Sequence, residues 1–219
     1  MTARRRPFAR ARSQFAALGL ALALVPGLAW QPAAAGPFED LAPCFSVQRD
    51  LDGLAAAFVA DGWTMLPEDG PERERAAMAT AEINWAMRTS LGRFRSPQQA
   101  VEFLNRAHHS HALRTDPYVL LTRDDRSLIL EWSTNGSRGQ NICLMAAAEI
   151  EYVGTGLPPG AVDPDHQRYF AAVNVPLLRA EAHIRQVNAA LARLRVPEAA
   201  RADLVGGDGA RLSVVYKYE

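Results

Sequence analysis

From Asp50 to Ala107 the apolar positions recur at spacings of three and four. Beyond Pro117 they alternate or run together. Leu51, Leu54, Ala55 and Phe58 share one helical face, with Asp50 at the cap position and Asp61-Gly62 behind, which predicts a helix over 50–60. "WTMLP" reads as a short strand and "EDGP" as a turn. Pro71 then opens a second helix, with Glu72 and Glu74 where the helix dipole favours acids. Its stripe is Ala79, Ile83, Ala86, Met87 and Ser90, and Gly92 ends it. A third helix starts at Ser96 as cap, Pro97 in the first turn and Gln99 closing an S-x-x-Q box, with Ala100, Phe103, Leu104 and Ala107 facing inward. It is expected to run out near 108–110.

The strand-like half begins with "YVLLT" and "SLILEW" on either side of a four-residue turn, Arg123 to Arg126. Asn135-Gly136 marks the next turn, and "NICLMAAAEIEY" reads as a third strand, giving an antiparallel meander over about 118–152. "RYFAAVNV" is read as a further strand. Leu177, Ala180, Ile184, Val187, Leu191 and Leu194 then alternate spacings of three and four, which predicts a long amphipathic helix over 177–194. "RLSVVYKYE" closes the chain as a strand with Leu212, Val214, Tyr216 and Tyr218 on one face. Helices followed by a meander, a helix and a last strand predict an α+β fold. The expected arrangement is an antiparallel or mixed sheet, the meander plus the C-terminal strand, packed by helices on one side.

Residues 1–35 change how the composition is read. Arg4, Arg5, Arg6, Arg10 and Arg12 precede an apolar run from Phe15 to Trp30, and Ala33-x-Ala35 supplies small residues at a cleavage site. The run is shorter than the ~20 residues of a membrane span, so it reads as a signal peptide removed after Ala35. That leaves one α+β domain over 36–219 in the periplasm or outside the cell, without a membrane anchor. "RRPFAR" also fits a twin-arginine export signal. "LAPC" resembles a lipoprotein box, but Pro43 stands directly before Cys44, and Cys44 lies well beyond the apolar run. The full chain carries 24 basic and 24 acidic residues; without the five signal arginines the basic count falls to 19, a net charge of −5. Loss of the one dense arginine run argues against nucleic acid and anionic membranes as partners. Cys44 and Cys143 are the two cysteines, and an even number in an oxidising compartment predicts a disulfide between them, tying the start of the mature chain to the third meander strand.

Candidate chemistry centres on "NRAHHSHALRTD", which holds three of the five histidines. On a helix His108 and His111 share a face; on an extended segment His109 and His111 do. Either pair could supply two ligands to zinc or copper, with a third from His166, His183, Asp116, Asp163 or Asp165. No H-E-x-x-H is present, and histidines at a helix end also suit its exposed carbonyls, so no metal is expected, with His108, His109 and His111 as weak candidates. No G-x-S-x-G surrounds a serine; Ser133 and Ser137 belong to a turn region. Glu131 and Glu149 form a conceivable carboxylate pair across the meander. "VGGDGAR" lacks the spacing of a phosphate loop and reads as a lead into the last strand. Trp63, Trp85, Trp132, Tyr216 and Tyr218 fill the core or line a concave face for a small apolar ligand or a peptide. The sequence therefore leans to a non-catalytic exported protein binding an unknown protein or small molecule, with no cofactor and no assigned catalytic residue. The alternative is a metal-binding protein or hydrolase using the histidine cluster.

Overall fold

In a computed structural model, two antiparallel meanders meet edge to edge. The structure describes residues 38–89, 97–112, 114–150, 170–175, 182–195 and 205–218. The first meander is β2 (Val119–Arg123), β3 (Arg126–Asn135) and β4 (Arg138–Ala147); the second is β5 (Phe170–Val175), β6 (Ile184–Leu194) and β7 (Gly207–Lys217). With the short edge strand β1 (Thr64–Met65) they form a seven-stranded sheet in the order β1-β2-β3-β4-β7-β6-β5, every described pair antiparallel. The seam between meanders is long: β4 and β7 pair from Arg138↔Lys217 to Ala147↔Asp208.

The first hairpin of the first meander is tighter than the four-residue turn expected, and the second turns at Asn135-Gly136, where the sequence placed it. Arg123 pairs with Arg126, leaving Asp124-Asp125 as the loop, and Asp124 takes a positive φ of 54°, which aspartate tolerates better than most residues. Asn135 pairs with Arg138 around Gly136-Ser137, with Gly136 at φ 60°. The third strand ends at Ala147 rather than near Tyr152, and residues 151–169 lie outside those described.

Three α-helices stand where the pattern placed them: α1 (Leu51–Ala60), α2 (Pro71–Thr89) and α3 (Pro97–Ala112). Asp50 caps α1, its carboxylate accepting from the Gly53 N–H at 2.7 Å. Ser90, Gly92 and Ser96 fall outside the described residues.

Helices cover both faces of the sheet, not one. α1 and a 3₁₀ segment (Glu39–Phe45) bury Leu41, Phe45, Leu54 and Phe58 against Leu121, Leu130, Met145, Leu191, Leu212 and Val214. α2 and α3 bury Ala79, Ile83 and Leu104 on the opposite face, against Leu120, Ile129, Leu144, Ala192 and Leu194. Odd and even positions of one strand thus enter different cores, which is why β3 and β4 read as near-continuous apolar runs. Gly209 marks the closest approach of α2, since a Cβ there would overlap Ile83 Cγ2.

The same double burial overturns the helix expected over 177–194. Residues 184–194 are the strand β6, paired on one side with β5 and on the other with β7; residues 176–181, including Leu177 and Ala180, lie outside those described. Ala189 and Leu191 enter the α1-side core and Ala192 and Leu194 the α2-side core. Ile184 and Val187, which a helical stripe would bury, are only partly buried. Alanine favours helices, but here it fills thin spaces on both faces of an interior strand, and pairing on both edges outweighs the local preference.

Cys44 and Cys143 form the predicted disulfide, joining the 3₁₀ segment to β4 with both residues fully buried. Beside it, Asn141 Nδ2 donates to the carbonyls of Cys44 (2.9 Å) and Ser46 (2.8 Å). The Tyr216 hydroxyl donates to the Gln48 carbonyl at 2.7 Å and accepts from Trp132 Nε1 at 3.0 Å. Burial pushes the Tyr216 phenol up to about 12, and its ring covers Gly139, which has no Cβ to obstruct it. The expected face of Leu212, Val214, Tyr216 and Tyr218 is therefore real, and it points into the core beneath the N-terminal segment.

Candidate functional site

α3 continues to Ala112, so all three histidines are helical residues of its last turns rather than part of a loop beyond it. They diverge. His109 is exposed. His108 Nε2 lies 2.8 Å from Glu82 Oε1 across the α2–α3 interface. His111 turns toward the segment that links α3 to β2, its ring centroid 5.4 Å from that of Tyr118.

Glu82 is fully buried in the middle of α2. Its Oε1 accepts the Val205 N–H at 3.1 Å and its Oε2 the Gly206 N–H at 2.7 Å, so His108 Nε2 donates to an oxygen already acting as an acceptor. One carboxylate thereby fastens α2, α3 and the lead into β7. A second buried carboxylate, Asp208, has stronger company: Arg193 grips both its oxygens, Arg195 and the Ile150 N–H complete the set, and the group staples β6 to β7. "VGGDGAR" is thus a structural lead into β7, as expected, and β7 begins earlier in it than "RLSVVYKYE" implied.

Between α2, α3 and β3 lies a cleft of about 120 Å³. Two helices contribute matching triplets at i, i+3 and i+4: Ala81, Asn84 and Trp85 from α2, and Ala107, Ser110 and His111 from α3. The two alanines are buried and form the floor; the longer side chains form the walls. Arg114, Asp116 and Glu131 close the remaining side. The Arg114 guanidinium is ion-paired through Nη2 to Glu131 Oε1 and stands 5.1 Å over the Tyr118 ring. Arg73 approaches the same ring at 5.6 Å, its Nη1 donating to the Pro67 carbonyl. Tyr118 therefore gathers two guanidinium groups and an imidazole, attracted to its π-face or edge. Burial first, then the charges of Arg114, His108 and Arg73, hold the His111 pKa below the ordinary histidine value, against an opposing pull from Glu131. Its neutral imidazole is the favoured form.

The remaining candidates do not assemble. Among the described residues no group of three His, Cys, Asp or Glu side chains could hold a metal ion. Asp116 lines the cleft with His111; His183 precedes β6, its carbonyl accepting from Lys217 N; His166, Asp163 and Asp165 lie outside the described residues. Glu131 pairs in register with Ile142, whereas Glu149 is exposed beyond the end of β4, so the two carboxylates are not opposite each other. Ser133 and Ser137 are exposed on the β3–β4 hairpin. Of the aromatics, Trp63 and Tyr216 are buried, with Trp132 hydrogen-bonded to Tyr216 and Tyr218 packed against the same core; Trp85 lines the cleft.

Glu82, Arg73, Asn84, Arg114 and Tyr118 were not singled out by the sequence pattern. Glu82 carried a signal: it is the one charged residue between Arg75 and Arg88, on a stretch of helix whose other residues are uncharged and mostly apolar. Arg114 carried none. No helix among the described residues is long and apolar enough to cross a membrane. No family model, curated protein or solved structure matches the chain.

Proposed function

We propose that this chain is an exported, non-catalytic binding protein and that the cleft between α2, α3 and β3 receives a small polar molecule. The cleft carries the reading: it brings Asn84, Trp85, Ser110, His111 and Arg114, side chains with polar atoms, around a floor of two small residues. Binding sites are commonly concave, partly apolar and furnished with a few convergent polar groups. The arginine-rich start, apolar run and Ala33-x-Ala35 pattern support export, and a buried disulfide is at home in an oxidising compartment. The use of His108, His109 and His111 as one metal centre has no comparable support, because their side chains face Glu82, solvent and the cleft respectively.

Two measurements test this. N-terminal sequencing of protein recovered from the periplasm or medium should begin at Gly36; a start at Met1 sinks the export reading. A nuclear magnetic resonance screen of small polar compounds should move the Trp85 indole and His111 ring signals together. A screen in which no compound moves either sinks the cleft as the binding site.

A further inference from the structure

The chemistry of the cleft selects among small polar molecules. Its volume, about 120 Å³, is below the roughly 150 Å³ of an enclosed cavity that accepts benzene, and it is open to solvent on one side, so the part of a ligand that it encloses is small. The lining has two characters. Ala81, Ala107 and the Trp85 ring offer contact but few hydrogen bonds, whereas Arg114, His111 and Ser110 offer donors.

Charge decides the sign. Around Tyr118 stand the guanidinium groups of Arg73 and Arg114 and the neutral imidazole of His111, and of these Arg114 and His111 line the cleft. Against them stand Glu131, paired to Arg114, and Glu82, which is committed to His108 and two backbone N–H groups. Among the described residues Arg73 has no carboxylate against it. Asp116 lies at the cleft but is exposed, where solvent screens it. The ion pair between Arg114 and Glu131 uses one guanidinium nitrogen, and a guanidinium has five N–H donors, so Arg114 can hold a second acceptor without releasing the first.

We propose that the cleft binds a short-chain carboxylate, its charged end held by Arg114 and His111 and its alkyl end lying on Ala81 and Ala107. This deepens the binding reading above and rests on it. A carboxylate suits the site better than a phosphate, because three or four phosphate oxygens would meet the alanine floor and lose water without gaining hydrogen bonds.

The test is titration of the disulfide-bonded mature protein with propanoate, propanamide and inorganic phosphate at fixed pH and ionic strength. The Trp85 indole and His111 ring resonances report occupancy. Propanoate should saturate in the millimolar range, propanamide at least tenfold more weakly, and phosphate no better than propanamide. Saturating propanoate should also raise the His111 pKa, because it adds a negative charge beside the ring. Glu131→Gln removes the competing carboxylate and should tighten propanoate binding several-fold. Ala107→Leu fills the floor and should abolish it; should that variant fail to fold, Glu131→Gln, which adds no volume, decides alone. Equal binding of propanamide, or phosphate binding as tightly as propanoate, overturns the carboxylate assignment while leaving the cleft as a site. Weaker propanoate binding by Glu131→Gln overturns the role given to Arg114. If propanoate moves neither resonance the carboxylate proposal falls, and if the broader screen is equally silent the cleft reading falls with it.

Discussion

Replacing Glu82 by glutamine should be among the most costly single-atom changes available in this chain. The exchange swaps one carboxylate oxygen for an NH₂ group and keeps the shape. Both oxygens face backbone donors, Oε1 the Val205 N–H at 3.1 Å and Oε2 the Gly206 N–H at 2.7 Å, so either orientation of the amide sets donor against donor. One hydrogen bond to a charged group is lost, worth about 1.5–3 kcal/mol, and a buried N–H is left unpaired. The bond from His108 weakens as well, since its acceptor no longer bears charge. A loss of about 2–4 kcal/mol follows, which for a domain of this size lowers the melting temperature by roughly 4–16 °C. Urea unfolding followed by circular dichroism gives the free energy, and hydrogen exchange gives the location: the Val205 and Gly206 amides should exchange faster, while amides in the centre of β4 change only with global stability. Histidine variants complete the comparison. His108→Ala should cost more than His109→Ala, whose exposed side chain should matter by no more than about 0.5 kcal/mol. A Glu82→Gln protein within about 0.5 kcal/mol of wild type, with unchanged protection at Val205 and Gly206, would refute the clasp.

Three further outcomes are expected. The Cys44–Cys143 bridge closes a loop with a sequence separation of 99, for which loop entropy sets a ceiling of about 4.7 kcal/mol; Cys44→Ala with Cys143→Ala should lose about 2–4 kcal/mol in urea unfolding, and equal midpoints for oxidised and reduced protein would contradict it. His111 binds its proton less readily folded than unfolded, so from pH 6.5 down to its depressed folded value the unfolded chain holds more protons; stability should fall through that window on acidification, and His111→Gln should flatten that part of the curve. Gly209→Ala should destabilise by about 1–3 kcal/mol through overlap with the Ile83 Cγ2 methyl, and in an Ile83→Ala background, which lacks that methyl, the same change should cost less in a double-mutant cycle.

Local order was legible in the chain because local rules govern it. Asp50 before Leu51, Pro71 with two acids behind it, and apolar spacings of three and four announced α1 and α2, and each formed where its own residues required. Asn135-Gly136 announced a hairpin for the same reason, since backbone conformation there depends on a glycine at positive φ. Two cysteines in a chain with an export-like start left a single intramolecular pairing to make. Alternation in "RLSVVYKYE" correctly put Leu212, Val214, Tyr216 and Tyr218 on one face.

Tertiary structure decided what depends on neighbours distant in sequence. The segment 184–194 has a helical period and alanines that favour a helix, yet it is a strand, because β5 and β7 satisfy both its edges and helices cover both faces of the sheet. The order β4-β7-β6-β5 belongs to the same class of fact: nothing in the residues of β7 records that it docks beside β4. The histidines illustrate the limit most directly. Their clustering in sequence suggested a shared role, but α3 rotates successive residues by about 100°, and each meets what the fold has placed there. His108 meets a carboxylate from α2, His109 meets solvent, and His111 meets the cleft with Arg114 and Tyr118. Sequence fixes which chemical groups a chain carries and how they are spaced along it. Which of them converge is set by long-range packing, because side chains from α2, α3 and β3 become neighbours only when two apolar faces of one sheet have been buried.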